Sequence, residues 1–171
     1  MAYGARRFRN LAEVSAAVGQ RLGESGWHQV TQRQVDRFAE VTGDDQWIHV
    51  DPARAATGPF GGPVAHGYLV VSLIPVLLRE AFQVDDLGLM VNTGVEALRF
   101  RRPVAVGTRL RLLADLLSVA DRARGAVEVV IDVRIDLADD AGPACQGRVG
   151  LILRPARPRR AAVVDRAATT R

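Results

Sequence analysis

A strongly apolar helix in the middle of the chain most constrains the fold. Residues 65–82 carry apolar side chains on nearly every face of the predicted helix. Such a helix must be buried over its whole circumference, because no face is polar enough for water. The rest of the chain therefore has to supply a layer that surrounds it.

Four strand-like segments follow the helix and can supply that layer. They span residues 90–101, 109–119, 126–138 and 144–154, and they combine β-branched residues with apolar–polar alternation. Turn-like sequences separate them, so neighbouring strands should be antiparallel. The pattern predicts an α+β fold in which an antiparallel sheet wraps around a long buried central helix.

The N-terminal part contains shorter elements and one long loop. Residues 10–18 predict a short helix and residues 27–30 a short strand. Thr31 begins a second helix with Gln34 in a capping-box position, and Gly43 ends it. Residues 44–63 then form a loop rich in Gly, Pro and Asp, with one helical turn at 52–56. An ordered loop of this length in a compact domain is usually functional.

The basic charge of the chain is concentrated at its C-terminal end. The 171 residues carry a net charge of +4, whereas residues 154–171 alone hold six arginines and one aspartate, a net +5. The remainder is thus close to neutral at −1. We predict one domain over residues 1–154 and an Arg-rich mobile tail over residues 155–171. Nucleic-acid binding is not expected of the domain and stays an alternative for the tail alone.

Three features bear on the compartment. The longest apolar stretch is roughly twelve residues and contains Pro75, whereas a membrane span needs about twenty. The N-terminus has charges but no apolar segment of the kind found in signal peptides. Cys145 is the only cysteine, which excludes an internal disulfide and fits a reducing compartment. We expect Cys145 to be a small buried apolar residue and the protein to be cytoplasmic, without a membrane partner.

Candidate catalytic groups cluster in the long loop and at its exit. Asp44 precedes His49 by five residues, and a carboxylate and an imidazole held together could share acid–base work on one water. The alternative is an acidic turn beside a structural histidine. His66 and Gly67 begin the apolar helix, where a backbone N–H could approach a developing oxyanion. An ordinary loop-to-helix junction is the alternative there.

Two sequence blocks together resemble one family. The segment VTGDDQWIHVDPARAATGPFGGPVAHGYLVVSL resembles the hydratase-2 motif of the MaoC-like dehydratases, a family that includes the (R)-specific enoyl-CoA hydratases. NTGVEALRFRRPVAVGTRL resembles the second block of that family. The matching positions are Gly43, Asp44, His49, Asp51, His66, Gly67 and Ser72, then Asn92, Gly94, Arg99, Phe100, Pro103, Val104 and Gly107. The resemblance covers roughly residues 25–153.

The resemblance implies a fold, an activity and a set of site residues. The expected fold is the hot-dog fold, in a homodimer with the substrate tunnel near the subunit interface. Asp44 and His49 would be the catalytic pair that adds water to a trans-2-enoyl-CoA and gives the (R)-3-hydroxyacyl-CoA, while the Gly67 N–H polarises the thioester oxygen. Ser72 would hydrogen-bond the Asp44 side chain. His66 and Asn92 would support these groups without carrying protons, and no cofactor or metal is implied.

One departure and three alternatives accompany this interpretation. Gln46 and Trp47 stand where most of these hydratases have Asn-Pro, a form similar to the nodulation protein N-like branch. The alternatives are a dehydratase of (R)-3-hydroxyacyl chains on acyl carrier protein, a hot-dog thioesterase, and a non-catalytic acyl-thioester-binding or partner subunit. Arg101 and Arg102 would suit the phosphate of either carrier, or they are a solvated strand end.

Overall fold

The secondary structure follows the predicted order. The computed structural model describes residues 5–139 and 142–156. The helices are α1 (Leu11–Ser15), α2 (Gln32–Thr42), α3 (Trp47–Val50), α4 (Pro52–Ala55), α5 (Gly67–Ser72) and α6 (Ile74–Ala81). The strands are β1 (Arg6–Phe8), β2 (Arg21–Glu24), β3 (His28–Gln29), β4 (Phe82–Val84), β5 (Leu87–Phe100), β6 (Arg109–Asp121), β7 (Val127–Leu137) and β8 (Pro143–Pro155). A short 3₁₀ turn, Ala123–Gly125, joins β6 to β7.

The main sheet is antiparallel and curves over the central helices. Its strand order is β2–β6–β7–β8–β5, and β3 also pairs with β6. The inward side chains of β6, β7 and β8 alternate with half-buried ones and form one aliphatic core with α5 and α6. This arrangement confirms the predicted α+β fold with a sheet around a central helix.

The central helix differs from its prediction in continuity. Instead of one helix over residues 65–82, α5 ends at Ser72 and α6 begins at Ile74. Pro75 causes the break, because it has no N–H to donate to the Val71 carbonyl. Phe82 already belongs to β4, which pairs in parallel with β1.

The central helix is also less buried than predicted. Leu69, Leu77 and Leu78 are buried against the sheet, but Tyr68 is 72% exposed and Val76 is 37% exposed. The expectation of burial over the whole circumference is therefore wrong for this chain alone. A single curved sheet covers one side of the helix, and the stripe that contains Tyr68 and Val76 faces outward.

Strand β5 is the edge strand beside that stripe. It pairs with β8 and lies at the end of the sheet order. Unlike the other long strands it is exposed along most of its length, including the large apolar residues Leu89, Val91, Val95 and Phe100. An edge of this length with apolar side chains is normally covered by another chain or element.

Local signals in the N-terminal part are confirmed where they were strongest. Thr31 and Gln34 form the predicted capping box of α2, and Gly43 ends that helix in the left-handed conformation with φ 74°. The predicted turn after Pro52 is α4. The predicted helix at 10–18 is shorter, spanning Leu11–Ser15, with Asn10 as its N-cap.

The last described strand crosses residue 154, where we predict that the domain ends. β8 extends to Pro155, and the Ala156 N–H donates to the Asp86 carbonyl at 2.6 Å. The rest of the predicted Arg-rich tail lies outside the described residues. Within the described ranges, every helix is too short or too polar to cross a bilayer.

Candidate active site

His49 is held in the loop by its own imidazole and by its backbone. It lies in α3, is 7% exposed, and its Nδ1 is 2.7 Å from the Val64 carbonyl oxygen. A carbonyl only accepts, so Nδ1 carries a proton and donates to Val64. Gln32 donates to the His49 carbonyl at 2.7 Å. These two hydrogen bonds fix the position and orientation of the ring.

Asp44 reaches the same point from the end of α2. The left-handed Gly43 turns the chain out of the helix, and Asp44 follows half-buried while Asp45 is exposed. A carboxylate oxygen of Asp44 and a ring nitrogen of His49 lie within 4.8 Å of each other. The structure therefore brings together the two residues predicted as the catalytic pair, and it separates Asp45 from them.

His66 completes this cluster. It is 2% exposed, and its Nε2 donates to the backbone carbonyl of Asp44 at 2.8 Å. Its ring stacks on that of His49, with centroids 3.8 Å apart, and also contacts Phe38. Within the described part of the chain, the buried Nδ1 of His66 has no hydrogen-bond partner.

Gly67 is the first residue of α5 and lines a cavity of about 440 Å³. In the first turn of a helix a backbone N–H has no acceptor within the helix. The wall of the cavity is mostly apolar: Phe60, Ala65, Tyr68, Val70, Phe100, Pro103, Val104, Ala144 and Cys145. Asp44 and His49 do not line this cavity. Ala65 and Gly67 do line it, and because they flank His66 in the chain, the cavity lies next to the cluster.

Two of the predicted supporting residues lie elsewhere in this structure. Ser72 is exposed, and its hydroxyl donates to the Tyr68 carbonyl at 2.7 Å rather than to Asp44. Helical serines often bond the carbonyl four residues earlier, and this bond uses the donor. Asn92 is exposed on β5 opposite Leu151. Among the described residues, no hydrogen bond joins its side chain to Asp44, His49 or His66.

The two arginines predicted near the tunnel mouth do line the cavity, but they differ. Arg101 is exposed. Arg102 is paired with Asp139 and donates to the Gly142 carbonyl at 3.0 Å. The hydrogen bond with Asp139 raises the pKa of Arg102. Arg102 thus has a structural role at the rim, whereas Arg101 is available for a ligand.

Cys145 is buried, as predicted, and forms part of the cavity wall. Burial raises the pKa of its thiol to about 11. The thiol is therefore neutral near pH 7, which argues against a nucleophile role.

Three residues shape the loop, and the sequence alone assigned none of them a specific contact. Gln46 donates to Asp44 Oδ1 at 3.2 Å, and Gln32 holds the His49 backbone from α2. Trp47 packs against Gly58. The guanidinium of Arg54 lies over the Trp47 ring, 4.5 Å from the ring centroid. Gln46 and Trp47 occupy the positions that depart from Asn-Pro, which was the available signal. In this chain they orient the aspartate and stiffen the loop.

The cluster also has the composition of a metal site. One carboxylate and two imidazoles within 4.8 Å could act as ligands of a metal ion such as Zn²⁺. The family resemblance implies no metal, and Asp44 and His49 could instead act as an acid–base pair.

Comparison with known proteins identifies the family. Residues 13–136 match the family model described as MaoC like domain. The match covers most of the chain, so the protein belongs to the MaoC-like dehydratase family, and it has the hot-dog fold of that family.

Two relatives refine this assignment. The chain is 41% identical over 140 residues to 3-hydroxyacyl-thioester dehydratase Z of Mycobacterium tuberculosis, covering 82% of this chain and 93% of the relative. It is 35% identical over 137 residues to nodulation protein N of Rhizobium leguminosarum, covering 79% and 85%. The similarity to nodulation protein N agrees with the branch indicated by Gln46 and Trp47.

A solved structure supports the same conclusion. The R-hydratase PhaJ1 of Pseudomonas aeruginosa superposes with a TM-score of 0.66 and 27% identity, over 82% of this chain and 83% of that one. The protein is thus an enzyme of the hydratase/dehydratase class, a hydro-lyase.

Proposed function

We propose that the protein catalyses the reversible hydration of trans-2-enoyl thioesters, with coenzyme A as the carrier, to (R)-3-hydroxyacyl thioesters. The convergence of Asp44 and His49 in the matching motif carries this proposal. The similarity to a 3-hydroxyacyl-thioester dehydratase and to an R-hydratase supports it, because these names describe the two directions of one reaction.

In this proposal Asp44 and His49 hold and activate one water. His49 donates through Nδ1 to Val64, so Nε2 is free to accept a proton from water. The water oxygen bonds to C3, the C2–C3 π electrons move towards the thioester carbonyl, and a proton then reaches C2. Both groups are delivered to the same face of the double bond, and attack on the C3 face that leads to the (R) alcohol sets the configuration. The pair then returns to its starting protonation.

Gly67 would polarise the thioester oxygen during this step. Its N–H lies at the start of α5, one residue after His66, and borders the cavity that could receive the acyl thioester. A backbone donor aimed at the developing enolate oxygen typically lowers the barrier by about 3 kcal/mol. Ser72 and Asn92 have no part in the proposed machinery within one chain.

We also propose a homodimer in the cytoplasm. The exposed helix stripe with Tyr68 and Val76 and the edge of β5 are adjacent apolar surfaces, and a second copy of the chain would cover both. The buried, unpaired Cys145 is in keeping with a reducing compartment.

An acyl carrier protein is the second candidate carrier. The similarity to a dehydratase of 3-hydroxyacyl thioesters favours the reverse reaction without fixing the carrier. Arg101, exposed at the rim of the cavity, could contact the phosphate of either one.

The direct test is hydration of crotonyl-CoA and of a longer trans-2-enoyl-CoA. Loss of the conjugated enoyl absorbance and formation of the (R)-3-hydroxyacyl-CoA are the expected results. Release of free thiol would indicate a thioesterase instead. An (S) product would contradict the proposed geometry, and turnover only of substrates on acyl carrier protein would select the second carrier.

A further inference from the structure

One buried side chain, that of His66, contacts both residues of the proposed acid–base pair. Its Nε2 donates to the Asp44 carbonyl oxygen at 2.8 Å, and its ring lies 3.8 Å from that of His49 at an interplanar angle of 28°. We propose that His66 is the positioning residue that sets Asp44 relative to His49. This inference rests on the function proposed above.

The hydrogen bond to Asp44 matters because few other contacts hold that part of the backbone. Asp44 follows the left-handed Gly43, where the helical ladder of α2 has ended. Its N–H lies 3.4 Å from the Thr42 hydroxyl, near the limit for a hydrogen bond. The 2.8 Å bond from His66 is therefore the shorter restraint on the Asp44 backbone, while Gln46 contacts the carboxylate itself at 3.2 Å.

The stacking contact restrains the other partner. The His49 ring is already pinned at Nδ1 by the Val64 carbonyl, which still allows the ring to tilt about that bond. His66 covers one face of the ring and is itself backed by Phe38, 5.0 Å away. Because His66 is 2% exposed, it has little room to move.

The place of His66 in the chain ties the pair to the third proposed group. It is the N-cap of α5 and immediately precedes Gly67, whose N–H is proposed to contact the thioester oxygen. One residue thus relates the carboxylate, the imidazole and the backbone donor. A misplacement of about 1 Å in such a set can lower turnover by about 100-fold.

The test compares amide substitutions that differ in reach. The amide of His66→Gln can occupy the place of Nε2 and donate to the Asp44 carbonyl, whereas the shorter His66→Asn cannot. His66→Phe keeps a ring against His49 but lacks the donor. We expect His66→Asn and His66→Phe to lower kcat by about 10- to 100-fold with KM nearly unchanged. His66→Gln should retain kcat within about fivefold of wild type.

Several outcomes would overturn the inference. Wild-type kcat in His66→Asn would remove the role of the hydrogen bond, and an equal loss in His66→Gln and His66→Asn would assign the effect to packing. Thermal unfolding and far-UV circular dichroism of each variant report folding, and if His66→Phe does not fold, the amide pair still decides. Absence of hydration by the wild type would instead reject the proposed function itself.

Discussion

The ring of Phe100, at the end of β5, lies directly against the backbone of Gly67, at the start of α5. A Cβ built on Gly67 would come within 2.8 Å of that ring. This contact is tighter than real side chains tolerate, so the glycine allows the aromatic residue to close one side of the cavity beside the proposed oxyanion donor.

Gly67→Ala is therefore expected to impair turnover more than stability. Phe100 is half exposed and its ring can shift away from the added methyl group. The free energy of unfolding should therefore change by less than about 1 kcal/mol. The shift alters the cavity wall beside the backbone donor, which alanine keeps, and kcat/KM should fall by about 10- to 100-fold. Gly62→Ala is the matched control, because a Cβ there meets open space. Equal activity in both variants would mean that the contact between Phe100 and Gly67 does not shape the substrate cavity.

Gly23→Ala should mainly lower the stability of the fold. A Cβ at position 23 would lie 2.0 Å from the backbone carbonyl oxygen of Ala81. Neither β2 nor the end of α6 can move easily, because both are part of the core. We expect a loss of about 3 kcal/mol in the free energy of unfolding, measured by urea denaturation. A loss no larger than that of Gly62→Ala would show that the two elements can separate.

The edge of β5 predicts how the chain associates. An aspartate in place of Val95, which is 49% exposed, would put a charge on the proposed dimer surface. The wild type should be a dimer by sedimentation velocity and Val95→Asp largely a monomer. Val41→Asp is the control, because Val41 is 86% exposed on α2 and belongs neither to β5 nor to the exposed stripe of the central helix. A monomeric wild type, or an obligate complex with a different MaoC-like chain, would contradict the homodimer.

The buried thiol of Cys145 predicts a loss of stability at alkaline pH. Its pKa is raised from 9.0 to about 11 by burial. Above pH 9 the unfolded chain ionises this thiol while the folded chain keeps it neutral, so stability falls as the pH rises towards about 11. Urea denaturation across this window should show a steeper decline for wild type than for Cys145→Ala. Parallel declines would mean that the thiol ionises equally in both states.

Much of the fold was predictable because its signals are local. The capping box of Thr31 and Gln34 and the left-handed Gly43 depend on a few neighbouring residues, and alternation along β7 directly reports its buried face. Pro75 was visible in the sequence and caused the break that the continuous-helix prediction overlooked. The exposed stripe with Tyr68 was not predictable from periodicity, because the apolar pattern does not say which partner covers each face.

The site also contains some residues whose positions the sequence predicts and others whose contacts it does not. Asp44 and His49 come together because His49 follows Asp44 by five positions and lies in the short helix α3, so the motif fixes their relation. His66 reaches them through contacts between distant parts of the chain, namely those of Val64 with Ile48, His49 and Ala105, and through the entry into α5. Ser72 and Asn92 match family positions. A motif position does not determine which acceptor the Ser72 hydroxyl chooses, nor that Asn92 lies on an edge strand of the sheet. Their contacts required the structure.

The most direct test of the central claim is the hydration rate of trans-2-enoyl-CoA for Asp44→Asn beside that of Asp45→Asn. The two variants remove one carboxylate each from adjacent residues, of which only Asp44 joins His49 and His66. We expect Asp44→Asn to lose at least about 100-fold in kcat, while Asp45→Asn keeps the wild-type rate and the (R) product. Wild-type turnover by Asp44→Asn, or an equal loss in both variants, would contradict it.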